Sequence, residues 1–377
     1  MTAAALEESY RDRRVLVTGA SGFKGSWLVR WLGRLGARVH GLGLAPPEGA
    51  SLFAAGRLDR DIDWTALDVR DARALAARVA AARPDTVFHL AAEAQVRPAY
   101  RDPLGTLATN ALGTAHLLEA LRAAGRPTAV VVVTSDKCYA GGGPGRPLVE
   151  GDPLGGSDPY SASKACAEIV SAAWRDSYFP EEELARHGVV VATARAGNVL
   201  GPGDYAAERL VPSCIRDLEA GRPVALRRPR AVRPWQHVLE PLLGYLRLGA
   251  LADPRRPPAE RRAASGAWNF GPPAAAPRRP VSEVAELLIA AWGGGRWVPA
   301  ARPDDPPETE RLELDAGRAE RRLGWRSVWA LEETLERTAR GYRRLRGAAP
   351  AEVRALLDRE LEAFGEAAAD AARERAA

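Results

Sequence analysis

The sequence predicts an α/β fold: a doubly wound parallel sheet with helices on both faces, followed by a smaller C-terminal α/β lobe. Within the first 200 residues, short and uniformly apolar runs alternate with stretches of helical composition. Such runs are typical of parallel strands that are buried on both faces. The connections between them are short, which favours one doubly wound domain. Beyond residue 200 the runs shorten and Pro and Arg become more frequent, which indicates a second unit.

The predicted elements follow one another in a regular order. They assign residues 1–200 to a Rossmann-type domain and residues 201–350 mainly to the lobe, with some segments returning to the first domain. Residues 351–377 are rich in Ala, Glu and Arg and are predicted to form a helical tail. In chain order the predicted strands are residues 14–18, 37–42, 61–68, 85–90, 129–134 and 189–194, and the predicted helices are residues 22–35, 72–82, 110–124 and 158–177.

Composition argues against several classes of protein. Of the 377 residues, 46% are apolar and 27% charged, and the formal charge of +5 is spread along the chain, so no nucleic-acid partner is expected. There is no run of about 18 apolar residues, and residues 1–14 are polar, so no membrane span or secretory signal is expected. The three cysteines (Cys138, Cys166 and Cys214) form no Cys-x-x-Cys pair, which indicates reduced thiols in a cytoplasmic protein. No metal site is predicted.

A glycine-rich loop follows the first predicted strand and opens the first helix. Glycines in this position allow a tight turn and a close approach of the backbone to a pyrophosphate, which the N-terminus of the helix would then hold. Their spacing, with two residues between successive glycines, is that of short-chain dehydrogenases. The loop therefore predicts a dinucleotide site with contacts from Gly19, Ser21, Gly22, Phe23, Lys24 and Gly25.

The ends of the next strands add to this site. The second strand ends in His40-Gly41-Leu42-Gly43-Leu44 and lacks the carboxylate that would hold the adenosine ribose, so the residues alone leave NAD and NADP open. Asp68 and Val69 follow the third strand, where the carboxylate would accept a hydrogen bond from adenine or cap a helix. The remaining predicted cofactor contacts are Leu90, Ala91, Ala92 and Asn110.

Tyr160 and Lys164 predict the catalytic pair, which would also contact the cofactor. Residues four apart share one helix face, and an ammonium beside a phenol lowers its pKa from about 10, so that Tyr160 could take a proton from a sugar hydroxyl. Thr134 ends the fifth strand and would hydrogen-bond the reacting oxygen beside Tyr160. Asp136 and Lys137 follow, an acid and a base that a dehydratase needs and that an epimerase does not.

Four motifs carry a resemblance to a known family. They are residues 22–28 (GFKGSWL), 134–139 (TSDKCY), 194–199 (ARAGNV) and 233–241 (RPWQHVLEP). Together they resemble the CDP-glucose 4,6-dehydratases, NAD-dependent enzymes of the extended short-chain dehydrogenase/reductase type, over about residues 15–325. The resemblance implies a hydro-lyase that acts on a nucleotide-activated hexose, with NAD tightly bound and regenerated in each turnover.

The resemblance also implies a reaction and a substrate site. C4 of the hexose would be oxidised through Tyr160 and Lys164, Lys137 would remove the C5 proton, Asp136 would protonate the departing C6 hydroxyl, and the hydride would return to C6. As a base, Lys137 must be neutral, which desolvation would favour. Trp235 would stack on a base or fill the core, and His237 is expected to have a structural rather than a catalytic role. The implied substrate contacts are Glu93, Asn198, Arg209, Arg233, Trp235 and His237.

The sequence departs from the family at two places, and alternatives stay open. The family usually has His-Thr where this chain has Ala20-Ser21, and Gln where it has Glu93. The other activities considered are a nucleotide-sugar 4-epimerase, a dehydratase of another nucleotide hexose, and an NAD-binding protein without catalysis. Family habit implies a homodimer, with a tetramer as the alternative, built on a four-helix bundle from residues 110–124 and 158–177, in which Ile169, Ala172 and Trp174 would supply apolar faces.

Overall fold

The structure is a computed structural model that describes residues 2–46, 51–141, 145–273, 275–301 and 311–374. Its larger unit is a seven-stranded sheet in which every neighbouring pair of strands is parallel over the described residues. This sheet contains β1 to β6 and β10, while β7 pairs with β9 and β8 pairs with β11. The strands of the chain are β1 (Arg14–Thr18), β2 (Arg38–Gly43), β3 (Asp63–Ala66), β4 (Thr86–His89), β5 (Thr128–Val133), β6 (Val189–Ala196), β7 (Val199–Leu200), β8 (Val224–Leu226), β9 (Gln236–His237), β10 (Gly266–Phe270) and β11 (Trp297–Pro299).

Helices cover both faces of this sheet, and short helices connect the strands. Residues Ala108–Leu112 form a single π-helical turn before the seventh helix. The α-helices are α1 (Ala3–Tyr10), α2 (Phe23–Arg34), α3 (Leu52–Ala55), α4 (Ala72–Ala82), α5 (Val96–Arg101), α6 (Pro103–Leu107), α7 (Gly113–Ala124), α8 (Pro159–Tyr178), α9 (Leu184–His187), α10 (Leu210–Glu219), α11 (Leu239–Leu251), α12 (Pro258–Arg261), α13 (Val281–Trp292), α14 (Gly317–Leu323), α15 (Leu331–Leu345) and α16 (Pro350–Glu374).

The strand order, β10-β6-β5-β4-β1-β2-β3, explains where a ligand can bind. The chain builds β1, β2 and β3 toward one edge and then crosses back to β4, β5 and β6. The reversal lies between β1 and β4, and in doubly wound sheets the carboxyl ends of the strands form a crevice at this point. The apolar runs of the sequence form the strands since both faces are covered; all six residues of β5, for example, are buried. The predicted doubly wound parallel sheet is confirmed.

Segments beyond residue 200 contribute to both units. The lobe has its own core, in which α10, α13 and α15 pack with the paired strands β8 and β11. In contrast, β10 is the edge strand of the large sheet, and α11 packs against β4, β5 and β6. Among the described residues, no helix is both long enough and apolar enough to span a bilayer.

The C-terminal helix α16 is part of the core. Phe364 is fully buried, with its ring centroid 5.8 Å from that of Trp31 on α2 and 4.9 Å from that of Trp329. Arg30 of α2 donates to both oxygens of Asp358 on α16. Aromatic packing and an ion pair therefore hold α16 against α2, the helix that follows the glycine loop.

Candidate active site

A cavity of about 1370 Å³ lies at the carboxyl ends of the strands, between the large sheet and the lobe. Every catalytic residue that the sequence predicts lines it, as do all the predicted binding residues except Asn110 and His237. A space of this size exceeds that of a usual small-molecule pocket, at most about 1000 Å³, and so has room for two ligands. The lining residues include Gly19, Ser21, Gly22, Phe23, Lys24, Gly25, Asp68, Val69, Leu90, Ala91, Ala92, Glu93, Thr134, Asp136, Lys137, Tyr160, Lys164, Asn198, Arg209, Arg233 and Trp235.

The glycine loop has the geometry of a pyrophosphate cradle. Gly19 has φ +72°, and a Cβ atom there would lie 2.6 Å from the backbone nitrogen of Ala91. A Cβ atom on Gly25 would lie 2.0 Å from the Gly19 carbonyl oxygen, so only glycine fits. Helix α2 begins beside the cavity with Gly22 as its N-cap, and no side chain caps its first N–H groups. Those N–H groups and the positive end of the helix dipole suit a pyrophosphate, so the residues present fit NAD.

At the other end of the cofactor region, Asp68 lies two residues after the end of β3. Its carboxylate accepts hydrogen bonds from Nε and Nη2 of Arg70, which hold the pKa of Asp68 below its usual value. The carboxylate is thus charged and shared with Arg70. Ser21 donates to the carbonyl oxygen of Leu44 at 2.8 Å, which ties the glycine loop to the end of β2.

Tyr160 and Lys164 lie one helical turn apart on α8, and both are buried. Burial raises the pKa of Tyr160 to about 12 and lowers that of Lys164 to about 8. The Lys164 amine donates to the carbonyl oxygen of Val133 at 3.1 Å. We expected the ammonium to lower the pKa of the phenol, but desolvation outweighs the effects of neighbouring groups. An activated phenolate therefore requires positive charge beyond what these side chains supply.

The hydroxyl group that contacts Tyr160 is that of Ser135, not that of Thr134. Thr134 donates to the buried carboxylate of Glu168 and so points away from the phenol. Ser135 lies close enough to Tyr160 to lower the pKa of the phenol, and it donates to Oδ1 of Asp136 at 2.8 Å. Successive residues of an extended chain face opposite ways, which separates the two hydroxyls. The same alternation was the signal that would have singled out Ser135 in the sequence.

Asp136 has the properties of a general acid. Burial raises the pKa of its carboxyl group, and Oδ2 has no hydrogen-bond partner among the described residues. That oxygen lies close to Gly197, where a Cβ atom would come within 3.1 Å of it. Lys137 follows directly, is half-buried and lines the same cavity. The arrangement places a carboxyl group with a raised pKa and an amine next to Tyr160, the kinds of group that elimination of water requires.

Lys24 brings a third amine to this end of the cavity. It donates to the Tyr245 hydroxyl at 3.3 Å, and burial, together with Arg209 and Lys164, lowers its pKa to about 7. The chain has 53 Lys and Arg residues, of which only three are lysines, and all three lysines line this cavity. Lys24 was predicted only as a contact of the glycine loop, yet its amine lies with the catalytic groups.

Of the predicted substrate residues, all except His237 line the cavity. Arg209 pairs with Asp204 at 3.0 Å, while Arg233 is buried and close enough to Asp136 to lower the pKa of that carboxyl group. Both guanidinium groups line the cavity, as do Glu93, Asn198 and Trp235. Paired donors of this kind suit a diphosphate.

Asn110 and His237 are corrections to the predicted site. The Asn110 amide accepts from the backbone N–H of Glu93 at 2.9 Å and donates to the Ser163 hydroxyl at 2.8 Å, so it braces the loop after β4 against α8 behind the cavity wall. His237 is fully buried against the rings of Trp27 and Trp329. The Asn110 side chain is used in hydrogen bonds within the protein, and the His237 ring is enclosed by aromatic side chains. Neither side chain is therefore available to a ligand.

Comparisons with known proteins agree with this geometry. A model of the NAD dependent epimerase/dehydratase family matches residues 15–252. The CDP-glucose 4,6-dehydratase of Salmonella typhimurium is 41% identical over 89% of this chain and 91% of that protein. The dTDP-glucose 4,6-dehydratase of Streptomyces antibioticus is 31% identical over 87% of this chain and 92% of that protein. A solved structure of DesIV, a dTDP-glucose 4,6-dehydratase from Streptomyces venezuelae with NAD bound, has a TM-score of 0.73 at 27% identity and covers 90% of this chain and 99% of that one.

These similarities confirm the resemblance that the four motifs indicated and, with it, NAD as the expected cofactor. They extend over most of the chain. On this evidence the chain belongs to the NAD dependent epimerase/dehydratase family.

Proposed function

We propose that this chain dehydrates CDP-D-glucose to CDP-4-keto-6-deoxy-D-glucose. The observation that carries the proposal is Asp136, a buried carboxyl group with a raised pKa and an unpartnered oxygen, beside the Tyr160–Lys164 pair. Oxidation and re-reduction of one carbon need only the pair, whereas loss of water also needs an acid. The choice of CDP-glucose is supported by the relative of that name, which is 41% identical over 89% of the chain.

NAD, when bound, would accept the hydride that leaves C4 and give it back to C6. Tyr160 takes the proton of the C4 hydroxyl as its general base. Lys164, held by the Val133 carbonyl, contributes positive charge on the same face of α8. The protein alone leaves the pKa of Tyr160 at about 12, and the positive charge of a bound oxidised nicotinamide would lower it.

Elimination follows from the acidity that a C4 ketone gives to the C5 proton. Lys137, half-buried at the cavity wall, removes that proton, and Asp136 protonates the hydroxyl that leaves C6 as water. Arg209 and Arg233 hold the diphosphate, Asn198 lies at the same wall, and Trp235 offers an aromatic face.

We also propose that two copies of the chain assemble through α7 and α8. Large apolar side chains are exposed along this surface: Leu112 and Ile169 are each 56% exposed and Tyr178 is 48% exposed. Trp174, in contrast, packs against the core of its own chain. Ile169→Glu should convert a dimer to a monomer in sedimentation analysis, while Ala290→Glu, on the exposed side of α13, should not. The cytoplasmic location expected from the sequence stays a prediction.

The test of the activity is a set of parallel incubations. Purified protein with NAD is mixed separately with CDP-glucose, dTDP-glucose, GDP-mannose and UDP-glucose, and product masses are measured. Loss of one water from CDP-glucose alone is expected. Loss of water from another donor would keep the reaction and reject the substrate. An isomer of unchanged mass would favour a 4-epimerase and leave Asp136 and Lys137 without their proposed roles.

A further inference from the structure

The proposed dehydration leaves the site with its protons in the wrong places. The C4 hydroxyl gives its proton to Tyr160, and the hydrogen that leaves C4 with its bonding electrons ends on C6. The C5 proton passes to Lys137 and returns to C5. The hydroxyl group leaving C6 takes its proton from Asp136. After one turnover, Tyr160 therefore holds one proton too many and Asp136 one too few, so a proton must move from the phenol to the carboxylate.

Ser135 adjoins both groups. Its hydroxyl donates to Oδ1 of Asp136 at 2.8 Å and lies close enough to the Tyr160 phenol to lower the pKa of that phenol. All three side chains are buried, with 6%, 3% and 8% of Ser135, Asp136 and Tyr160 exposed. A serine hydroxyl has one proton to donate and two lone pairs to accept with. It can thus donate to the carboxylate while it accepts from the phenol.

We propose that Ser135 carries the proton from Tyr160 back to Asp136 inside the closed site, once in each turnover. The O–H bond of the phenol breaks as its proton joins Oγ of Ser135, and the original hydroxyl proton of Ser135 passes to Oδ1 of Asp136. Ser135 keeps one proton throughout. The step regenerates the phenolate and the protonated acid together, and it rests on the proposed dehydration.

The direction of the transfer follows from the charges around the two groups. Burial raises the pKa of Asp136, which favours the protonated carboxyl group. Burial also raises the pKa of Tyr160, so the phenol releases its proton only beside positive charge. Lys164 provides part of that charge, and the oxidised nicotinamide provides the rest at the end of a turnover. The return of the proton is therefore favoured once C6 has been reduced and not before.

The test compares the first turnover with those that follow, by rapid mixing of the NAD-loaded enzyme with excess CDP-glucose. In Ser135→Ala the first turnover should slow only as far as loss of the neighbouring hydroxyl raises the pKa of Tyr160, since the raised pKa of Asp136 favours its protonated form at the start. Later turnovers should be slower than the first by about 100-fold, the usual contribution of a positioned proton-transfer group. Ser135→Thr should restore both rates. Thr134→Val removes the neighbouring hydroxyl, which donates to Glu168, and should leave the ratio of the two rates unchanged.

Two outcomes would overturn the relay. One is an equal fall of the first and later turnovers in Ser135→Ala, which would mean that Ser135 only holds the C4 oxygen. The other is an unchanged steady-state rate. If the wild type dehydrates none of the four sugar nucleotides, the proposed function fails, and the relay is judged from the ¹³Cζ resonance of Tyr160. Asp136 also acts on Tyr160 directly through its charge, so Asp136→Asn should move this resonance in a Ser135→Ala background too, but less than in the otherwise wild-type protein; equal movement in both would refute the link.

Discussion

Replacing Glu168 by Gln should affect both the stability of the protein and the pH range of its activity. The buried carboxylate of Glu168 accepts from the Thr134 hydroxyl, from the Thr193 hydroxyl at 2.7 Å and from Arg195 at 2.8 Å. It thereby joins α8 to the ends of β5 and β6, and it lies one helical turn after Lys164. Glutamine keeps the size and an acceptor oxygen but removes the charge.

The expected loss of stability follows from the partner that is left behind. Breaking a buried ion pair costs about 3–5 kcal/mol, since the remaining charge stays desolvated. Arg195 would still donate to the Glu150 carbonyl at 3.0 Å and lie 4.8 Å from the ring centroid of Tyr139. These contacts place the loss near the lower end, about 3 kcal/mol. Urea unfolding of both proteins measures it.

The pH effect comes from the amine of Lys164. Burial lowers its pKa to about 8, while Cys138 and Glu168 raise it. Lys24 and His89 also face the amine, and neither would change. Without the carboxylate the pKa of Lys164 falls below about 8, so the ammonium is lost at lower pH. The alkaline limb of the kcat/KM profile should therefore move toward acid.

A matched variant separates the two effects. Glu360 is also a buried glutamate paired with an arginine, Arg337, at 2.9 Å, and it lies on α16 and does not line the cavity. Glu360→Gln should reduce stability without moving the alkaline limb. If the limb is equally unmoved in Glu168→Gln, the carboxylate has no influence on Lys164 and the reasoning is refuted.

Four further predictions concern the acid, the cofactor loop, a buried histidine and the C-terminal helix. Asp136→Asn should slow dehydration by about 10²–10⁴-fold while oxidation at C4, followed by absorbance at 340 nm, persists; loss of both would contradict its role as the acid. Gly25→Ala should weaken NAD binding at least about tenfold in calorimetry because its Cβ would lie 2.0 Å from the Gly19 carbonyl oxygen, whereas Gly33→Ala, with open space around it on the same helix, should bind NAD normally and stabilise the helix by up to about 1 kcal/mol. Burial lowers the pKa of His237 to about 3, so below about pH 6.5 the unfolded chain binds a proton that the folded chain does not, and the free energy of unfolding decreases by about 1.4 kcal/mol for each pH unit of acidification. Urea titrations between pH 5 and 6 should show that this pH dependence is smaller by one proton in His237→Asn, and an unchanged slope would count against the burial argument. Phe364→Ala should cost about 3–5 kcal/mol in the same unfolding assay, and a cost under about 1 kcal/mol would mean that α16 is not part of the core.

Sequence patterns that span only a few neighbouring residues were enough to predict the sheet and the glycine loop. The six apolar runs and the turn from Val17 to Phe23 carry their structure locally, because burial on both faces demands uniform apolar strands and a pyrophosphate cradle demands glycines. The approximate position of Asp136 and Tyr160 at one cavity follows from the same rule, since the carboxyl ends of parallel strands share an edge.

The parts that sequence reasoning missed depend on where a polar side chain points. Thr134 and Ser135 are chemically alike, and only the partner across the chain, Glu168 for one and Tyr160 for the other, distinguishes them. Asn110 lies in a π-helical turn, and its side chain forms hydrogen bonds with Glu93 and Ser163 and does not line the cavity. Such orientations are set by tertiary packing, and neither sequence periodicity nor a sequence motif contains information about it.

The scarcity of lysine gives this protein an unusual chemical surface. Apart from the α-amine of the chain, its three lysines carry all of its primary amines, and each one lines the catalytic cavity. Amine-directed dyes, cross-linkers and immobilisation resins, which on most proteins attach at many harmless places, have almost nowhere to react here except the site of chemistry. Attachment should therefore go through a thiol introduced on the lobe, and amine labelling becomes a measure of how far bound ligands shield the cavity.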